Sequence, residues 1–159
     1  MDKSIADLAL DMASPMIDGL IEFEVINRGE LCVIVGIRDQ NGQLDVLSTK
    51  RVGDRQDWQE DYEKIAYFKA RKMAETGLNS REAVLLHPAL TSSGDGIHWG
   101  GVTRDNVIVA CSGVQPYFDE AISQAVLSLC LAIIEDKVVH SRQAAMAANG
   151  FIHHELPSD

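Results

Sequence analysis

Positively charged residues are scarce in this sequence. Its 159 residues include 24 Asp and Glu but 14 Lys and Arg, which gives a formal net charge of −10 at pH 7. Nucleic acids and anionic membranes are bound mainly through clustered Lys and Arg, and no segment of the sequence is a dense basic patch. We therefore expect neither kind of partner.

Paired cysteines are absent as well. Cys32, Cys111 and Cys130 lie far apart, each within an apolar run, and the sequence has no CxxC pair. An odd number of isolated cysteines does not fit a disulfide framework, and a structural zinc site needs closely spaced ligand pairs. We interpret the three as buried free thiols in a reducing cytoplasm, and we expect no metal site.

A long apolar run is also missing. The longest one, from Ala125 to Ile134, is about half of a membrane-spanning helix and is interrupted by Ser128. The first residues, MDKSIADLAL, are acidic where a signal peptide is positive. Both features predict a cytoplasmic protein. Its length and its apolar fraction of 46% fit one globular domain over residues 1–159.

The clearest structural signal is the stretch from Val107 to Asp119, VIVACSGVQPYFD. Its first five residues are β-branched or small and apolar, which predicts a strand buried on both faces. Gly113 then allows a turn, and Pro116 suits the first turn of a helix. Apolar spacing extends that helix to Val138, so a strand, a tight turn and a long helix are predicted in one piece.

A hairpin is predicted earlier in the chain. Leu31 to Arg38, LCVIVGIR, has the composition of a central strand, and Leu44 to Thr49 alternates apolar and polar side chains. Asn41-Gly42 between them tolerates the positive φ of a tight turn. The two strands should therefore pair antiparallel.

The N-terminal segment contains apolar residues at helical spacing. Ser4 to Met12 fits a short amphipathic helix. Ser14-Pro15 has the pattern of an N-cap followed by proline at the first helical position, which predicts a second helix ending near Gly29. Residues 23–26, FEVI, fit a strand as an alternative.

Another helix is predicted after the hairpin. Asp54 or Asp57 can cap its start, and Gly77 suits its end after Thr76. Asn79-Ser80 then has the pattern of a cap for a short helical turn.

Glycine is concentrated in Thr91 to Gly101, TSSGDGIHWGG, with four glycines among eleven residues. Such density suits a ligand-contacting loop, because glycine allows close backbone approach. It equally suits a bend that leads into a short strand. Val102 to Asn106 should hold a second hairpin turn.

Three segments of the chain resemble the GlcG/HbpS-like family, also called the haem-degrading domain family, to which the C-terminal domain of PduO-type proteins belongs. The resemblance covers residues 15 to 138. Its segments are a strand with an acidic turn at Val33–Asp39, an A-x-x-K-A helix signature at Ala66–Ala70, and a glycine-rich hairpin, Gly94-Asp95-Gly96, followed by Cys111-Ser112-Gly113 and Asp119-Glu120.

The resemblance implies an α/β (α+β) fold, with a profilin-like antiparallel β-sheet flanked by helices. It also implies symmetric homo-oligomers, and haem or a related tetrapyrrole as a ligand in some members. Self-association is expected on a second ground. Residues 126–134 are apolar almost all round the helix, so they must be covered by the sheet and the N-terminal helices or by another subunit.

The candidate ligand-binding residues come from the glycine-rich segment and the helix signature. Lys69 is placed to pair with a ligand carboxylate, His98 is a haem-ligand type beside Trp99, and free glycine N–H groups would bind an anion. The alternatives are a lysine whose ammonium reaches the surface and an ordinary surface histidine. The candidate residues are Lys69, Gly94, Gly96, His98, Trp99, Gly100 and Gly101.

Taken together with the resemblance and the composition, these residues favour a cytoplasmic homo-oligomer that binds a small ligand, haem or a related cofactor. Two other functions stay open. One is an enzyme acting on haem or a small organic acid, with His98 as acid or base. The other is an accessory assembly protein without a ligand. No catalytic residue is predicted, because no nucleophile with a paired base can be named.

Overall fold

The computed structural model describes residues 1–26, 29–87 and 99–148. In this part of the chain, four antiparallel strands form one sheet, and helices flank both of its faces. The predicted α+β fold is confirmed. In chain order the elements are α1 (Lys3–Glu22), β1 (Leu31–Arg38), β2 (Leu44–Val52), α2 (Tyr62–Thr76), α3 (Ser80–Leu86), β3 (Gly101–Arg104), β4 (Val107–Ser112) and α4 (Pro116–Ala148). The order of the strands in the sheet is β2-β1-β4-β3.

The first hairpin has the predicted arrangement. β1 and β2 pair antiparallel, and Gly42 in the turn between them has φ +75°. The carboxylate of Asp39 accepts the N–H groups of Asn41 and Gln43 at 2.8 and 2.7 Å, which closes the turn. β2 continues past the predicted end to Val52, because the start of β1 pairs with its last residues.

β4 is the inner strand on which both layers pack. All six of its residues are buried, and it pairs with β1 on one side and β3 on the other. The second turn consists of Asp105 and Asn106, both at positive φ, as a two-residue type I′ turn requires. The predicted range 102–106 contains this turn, and its first residues pair with β4.

Two apolar cores lie on opposite faces of the sheet. α1 and α4 cover one face, where alternate residues of β1 and β4 such as Val33 and Val109 are buried. α2 covers the other face, where Ile34 and Ile108 are buried. The alternation of side chains along each strand thus divides the strand between two helical layers.

The N-terminal helix is continuous, so the predicted boundary at Ser14-Pro15 is wrong. Asp2 caps α1 by accepting the N–H of Ile5 at 3.1 Å, and the Ser14 hydroxyl donates to the carbonyl of Leu10 at 3.0 Å. Pro15 removes one helical hydrogen bond, at a cost of about 3 kcal/mol. Burial of one face across both halves outweighs that loss; its residues are Ile5, Ala6, Ala9, Leu10, Ala13 and Ile17. Residues 23–26 form a turn and a bend rather than a strand.

α2 begins later than predicted. Asp61 is its N-cap and accepts the N–H of Lys64 at 3.1 Å. Asp54 instead accepts the N–H of Gln56 at 3.0 Å in the preceding loop. The C-cap at Gly77, φ +73°, is as predicted. Several aspartates precede α2, and local sequence alone does not choose between them.

α4 begins at Pro116 as predicted and continues beyond Val138 to Ala148. Its apolar middle is covered within one chain, because Val126, Leu127 and Cys130 are buried in the core shared with α1. Of the two ways in which this segment is expected to be covered, packing on the sheet and the N-terminal helix is therefore present. None of the helices in residues 1–26, 29–87 and 99–148 combines the length and the apolarity needed to cross a membrane.

Replacement Pro15→Ala tests the continuity of α1. Pro15 is exposed, so alanine would lose no buried contact and would restore a helical N–H. We expect the free energy of unfolding to rise by roughly 1–3 kcal/mol in urea denaturation. A neutral or destabilising effect would instead indicate that a helix begins at this proline.

Candidate functional site

Lys69 points into the protein from α2. Its Nζ donates to the Asp119 carboxylate at 3.0 Å and to the Cys111 carbonyl at 2.8 Å. The Lys69 and Asp119 side chains are 5% and 3% exposed, so the alternative of a lysine that reaches the surface is wrong. A ligand carboxylate near Lys69 would therefore meet an ion pair with no net charge, and a ligand-binding role for Lys69 stays a prediction.

Asp119 connects the start of α4 to the end of β4. Its second carboxylate oxygen accepts the N–H of Val114 at 3.3 Å. Burial raises the pKa of Asp119 above its ordinary value, while the Lys69 ammonium and the Val114 N–H act in the opposite direction. The pair thus joins α2 and α4, which lie on opposite faces of the sheet.

Gly100 and Gly101 are held by two serines. The Ser80 hydroxyl accepts the N–H of Gly100 at 2.9 Å and that of Gly101 at 2.7 Å, and it donates to the Gly101 carbonyl at 2.9 Å. The Ser123 hydroxyl donates to the Gly100 carbonyl at 2.7 Å. The expectation that these two glycine N–H groups are free for a ligand is therefore wrong. Neither serine is predicted as a site residue, because nothing in the sequence links it to the glycines.

Close packing explains why glycine occupies these two positions. Gly100 has φ +142°, and a Cβ there would clash with the Cβ of Asp119. A Cβ at Gly101 would clash with the end of the Met73 side chain. For these residues the structure agrees with the alternative of a bend that leads into a short strand.

Trp99 and Arg81 form the surface next to this bend. The guanidinium of Arg81 lies 5.3 Å from the centre of the Trp99 ring and 3.4 Å from the Glu120 carboxylate. Trp99 is half-buried, and its indole N–H is buried with no hydrogen-bond acceptor among the described residues. Arg81 is not predicted from the sequence, because no local pattern places α3 beside the residues before β3.

The other candidates fall as follows. Gly94, Gly96 and His98 lie outside the described residues. A histidine outside that set, His87, is the C-cap of α3 and is exposed. The described residues contain no group of three His, Cys, Asp or Glu that could hold a metal ion.

The three cysteines are buried free thiols, as predicted. Burial raises the pKa of Cys32 to about 12 and that of Cys130 to about 11. Burial, together with the nearby Asp119 carboxylate, also raises the pKa of Cys111. Nucleophilic attack and metal binding need the thiolate, and burial disfavours the thiolate at all three positions.

A groove of about 750 Å³ lies elsewhere on the molecule. It runs between the β3–β4 turn at Asp105-Asn106 and α4, where Gln124 and Leu131 line it. It contains none of the predicted site residues.

The ion pair can be tested by removing one charge and then both. Lys69→Met leaves a buried carboxylate without its cation, so we expect a loss of about 3–5 kcal/mol in the free energy of unfolding. Lys69→Met combined with Asp119→Leu removes both charges and should recover most of that loss. Urea denaturation of the wild type, both single variants and the double variant measures the coupling. Additive losses would contradict the pair.

The loss caused by Lys69→Met should depend on pH in one direction. The folded-state pKa of Asp119 is raised, and removing Lys69 takes away one group that lowers it. Ionised Asp119 therefore destabilises this variant above its unfolded pKa, and the loss shrinks as the pH falls through the folded-state pKa. Urea denaturation of Lys69→Met and the wild type at neutral and mildly acidic pH checks this. An equal loss in the free energy of unfolding at the two pH values would show that Asp119 is not the unpaired group.

Comparisons with known proteins give matches in structure alone. No protein-family model and no curated protein matches the sequence. The crystal structure of Klebsiella pneumoniae protein ORFY, assigned to DUF336, has a TM-score of 0.58 at 16% identity and covers 83% of this chain and 91% of its own. The crystal structure of a PduOC:heme complex has a TM-score of 0.51 at 16% identity and covers 76% and 91%. Both neighbours are GlcG/HbpS-like proteins, and this chain has the fold that they share.

Proposed function

We propose that this protein binds a small anionic ligand, haem or a related tetrapyrrole, beside Trp99. The ligand would lie against the predicted segment Gly94–Gly101, of which Trp99, Gly100 and Gly101 are described residues. The buried pair of Lys69 and Asp119 would hold this segment in position, because Gly100 packs against Asp119. The chain would hold and orient the ligand, and bound haem would supply its own redox chemistry.

The observation that carries this proposal is the indole N–H of Trp99, which is buried with no hydrogen-bond acceptor in residues 1–26, 29–87 and 99–148. A buried donor without an acceptor costs about 1–3 kcal/mol, and most such groups in folded proteins find a partner. The Trp99 donor lies at the end of a segment in which glycine is concentrated. A ligand oxygen would satisfy it.

The residue types around Trp99 fit a haem. Haem needs an apolar contact surface, a cation for its carboxylates and an axial donor. Leu85 and Leu86 on α3 are exposed, and Leu85 is one turn from Arg81 on the same face of the helix. His98 or His87 would be the axial donor. The shared fold with a protein solved as a haem complex supports the same choice of ligand.

We also propose that the protein is a cytoplasmic homo-oligomer. Leu8, Met12 and Met16 form an exposed apolar stripe along α1. Residues 135–147 of α4 are exposed, and a helix that packs on nothing is only marginally stable in water. Contacts with a second copy would cover both surfaces. The three free cysteines support a reducing compartment.

Replacing each of the two tryptophans by phenylalanine tests the proposal. Trp99→Phe keeps a ring but removes the indole N–H, so we expect the affinity for haem to fall about three- to tenfold. The absorbance of the Soret band measures this affinity. The free energy of unfolding of Trp99→Phe should not fall by the amount expected for a lost hydrogen bond. Trp58→Phe is the control, because the Trp58 N–H already donates to the Val52 carbonyl at 3.3 Å. That variant should lose stability but not affinity.

Three results would contradict parts of the proposal. The absence of a Soret band with the wild type, and of any bound small molecule in its native mass spectrum, would exclude ligand binding and favour the accessory role. Consumption of the ligand, lost in a folded His98→Ala variant, would favour the enzyme. A solution mass of 17.4 kDa, that of one chain, would exclude the homo-oligomer.

A further inference from the structure

We propose that Arg81, and not Lys69, is the cation to which a carboxylate of the ligand binds. This inference rests on the proposed function and adds one binding residue and one chemical requirement to it. The ligand must be a flat molecule with a carboxylate at its edge.

Lys69 is poorly placed for this role. Its ammonium lies between a carboxylate and a carbonyl, and its side chain is 5% exposed. To bind an external anion, Lys69 would have to leave Asp119 buried and unpaired, which is strongly destabilising. The cation of the site must therefore be another residue.

Arg81 has the exposure and the orientation that Lys69 lacks. Its side chain is 48% exposed, so a ligand can reach it without unfolding α3. The Trp99 ring beneath the guanidinium attracts it and restricts its orientation. A planar guanidinium on an aromatic ring can offer its N–H groups to both oxygens of a carboxylate.

Glu120 is the internal competitor for Arg81. Its carboxylate lies 3.4 Å from the guanidinium, and its side chain is 23% exposed. An ion pair this exposed is weak, typically below about 1 kcal/mol, so a ligand carboxylate can share or replace it. Glu120 would thereby weaken ligand binding, and its removal should strengthen it.

The chain provides a matched control for Arg81. Arg71 on α2 is 51% exposed, pairs with Glu75 at 3.1 Å and lies 5.6 Å from the centre of the Phe68 ring. Arg71 thus has the same charge, a similar exposure, an acidic partner and an aromatic neighbour. It lies on α2 rather than α3, its aromatic neighbour is Phe68 rather than Trp99, and Phe68 has no polar hydrogen.

The experiment compares Arg81→Gln with Arg71→Gln in the full chain, using two porphyrin probes. Protoporphyrin IX carries free carboxylates, and its dimethyl ester has the same ring without them. Affinity is followed by the absorbance of each probe at low and high salt, and urea denaturation confirms that the variants are folded.

We expect Arg81→Gln to lower the affinity for protoporphyrin IX roughly tenfold, with a smaller effect at high salt. It should leave the affinity for the dimethyl ester unchanged, and Arg71→Gln should change neither. Glu120→Gln should raise the affinity for protoporphyrin IX.

Two results would overturn the inference in different ways. If the wild type binds the probes but Arg81→Gln and Arg71→Gln behave alike, the proposed function stands and Arg81 is not the cation. If the wild type binds neither probe nor haem, the proposed function fails and this inference fails with it.

Discussion

The buried ion pair between Lys69 and Asp119 is the interaction on which this architecture depends most. Lys69 belongs to the helix that covers one face of the sheet, and Asp119 belongs to the helix that covers the other. The two side chains meet at the Cys111 carbonyl near the end of β4. Gly100 packs directly on Asp119, so the same pair also determines how the chain enters β3.

In this arrangement, the residues that hold the elements together differ from those that are available to contact a ligand. The ammonium of Lys69 and the N–H groups of Gly100 and Gly101 all have partners inside the protein. They hold α2, β3 and α4 together and leave little capacity for a ligand. The side chains with unmet or exposed polar groups, Trp99 and Arg81, lie just outside this network. A rigid support of this kind suits a binding site, because it holds the contacting side chains in position.

Local sequence patterns predicted the structure correctly at positions where the residue type is compatible with one local conformation. The β-branched runs of β1 and β4, the glycine of the first turn and the C-cap at Gly77 all predict what the structure shows. Signals failed where several residues suit the same position. Pro15 fits a helix start as well as an exposed position inside a helix, and continuous burial of α1 decides between them. Asp54, Asp57 and Asp61 are all suitable caps, and the structure uses Asp61.

The sequence by itself determined the first hairpin, the inner strands and the presence of a lysine within an otherwise apolar helix face. Those properties follow from side-chain type and from spacing along the chain, which act over one or two turns. Only the tertiary structure decided what that lysine does, because its partner Asp119 is 50 residues away in sequence. The same holds for Trp99 and Arg81, which come from different elements. Their proximity depends on how α3 packs beside β3, and short-range spacing carries no information about such a contact.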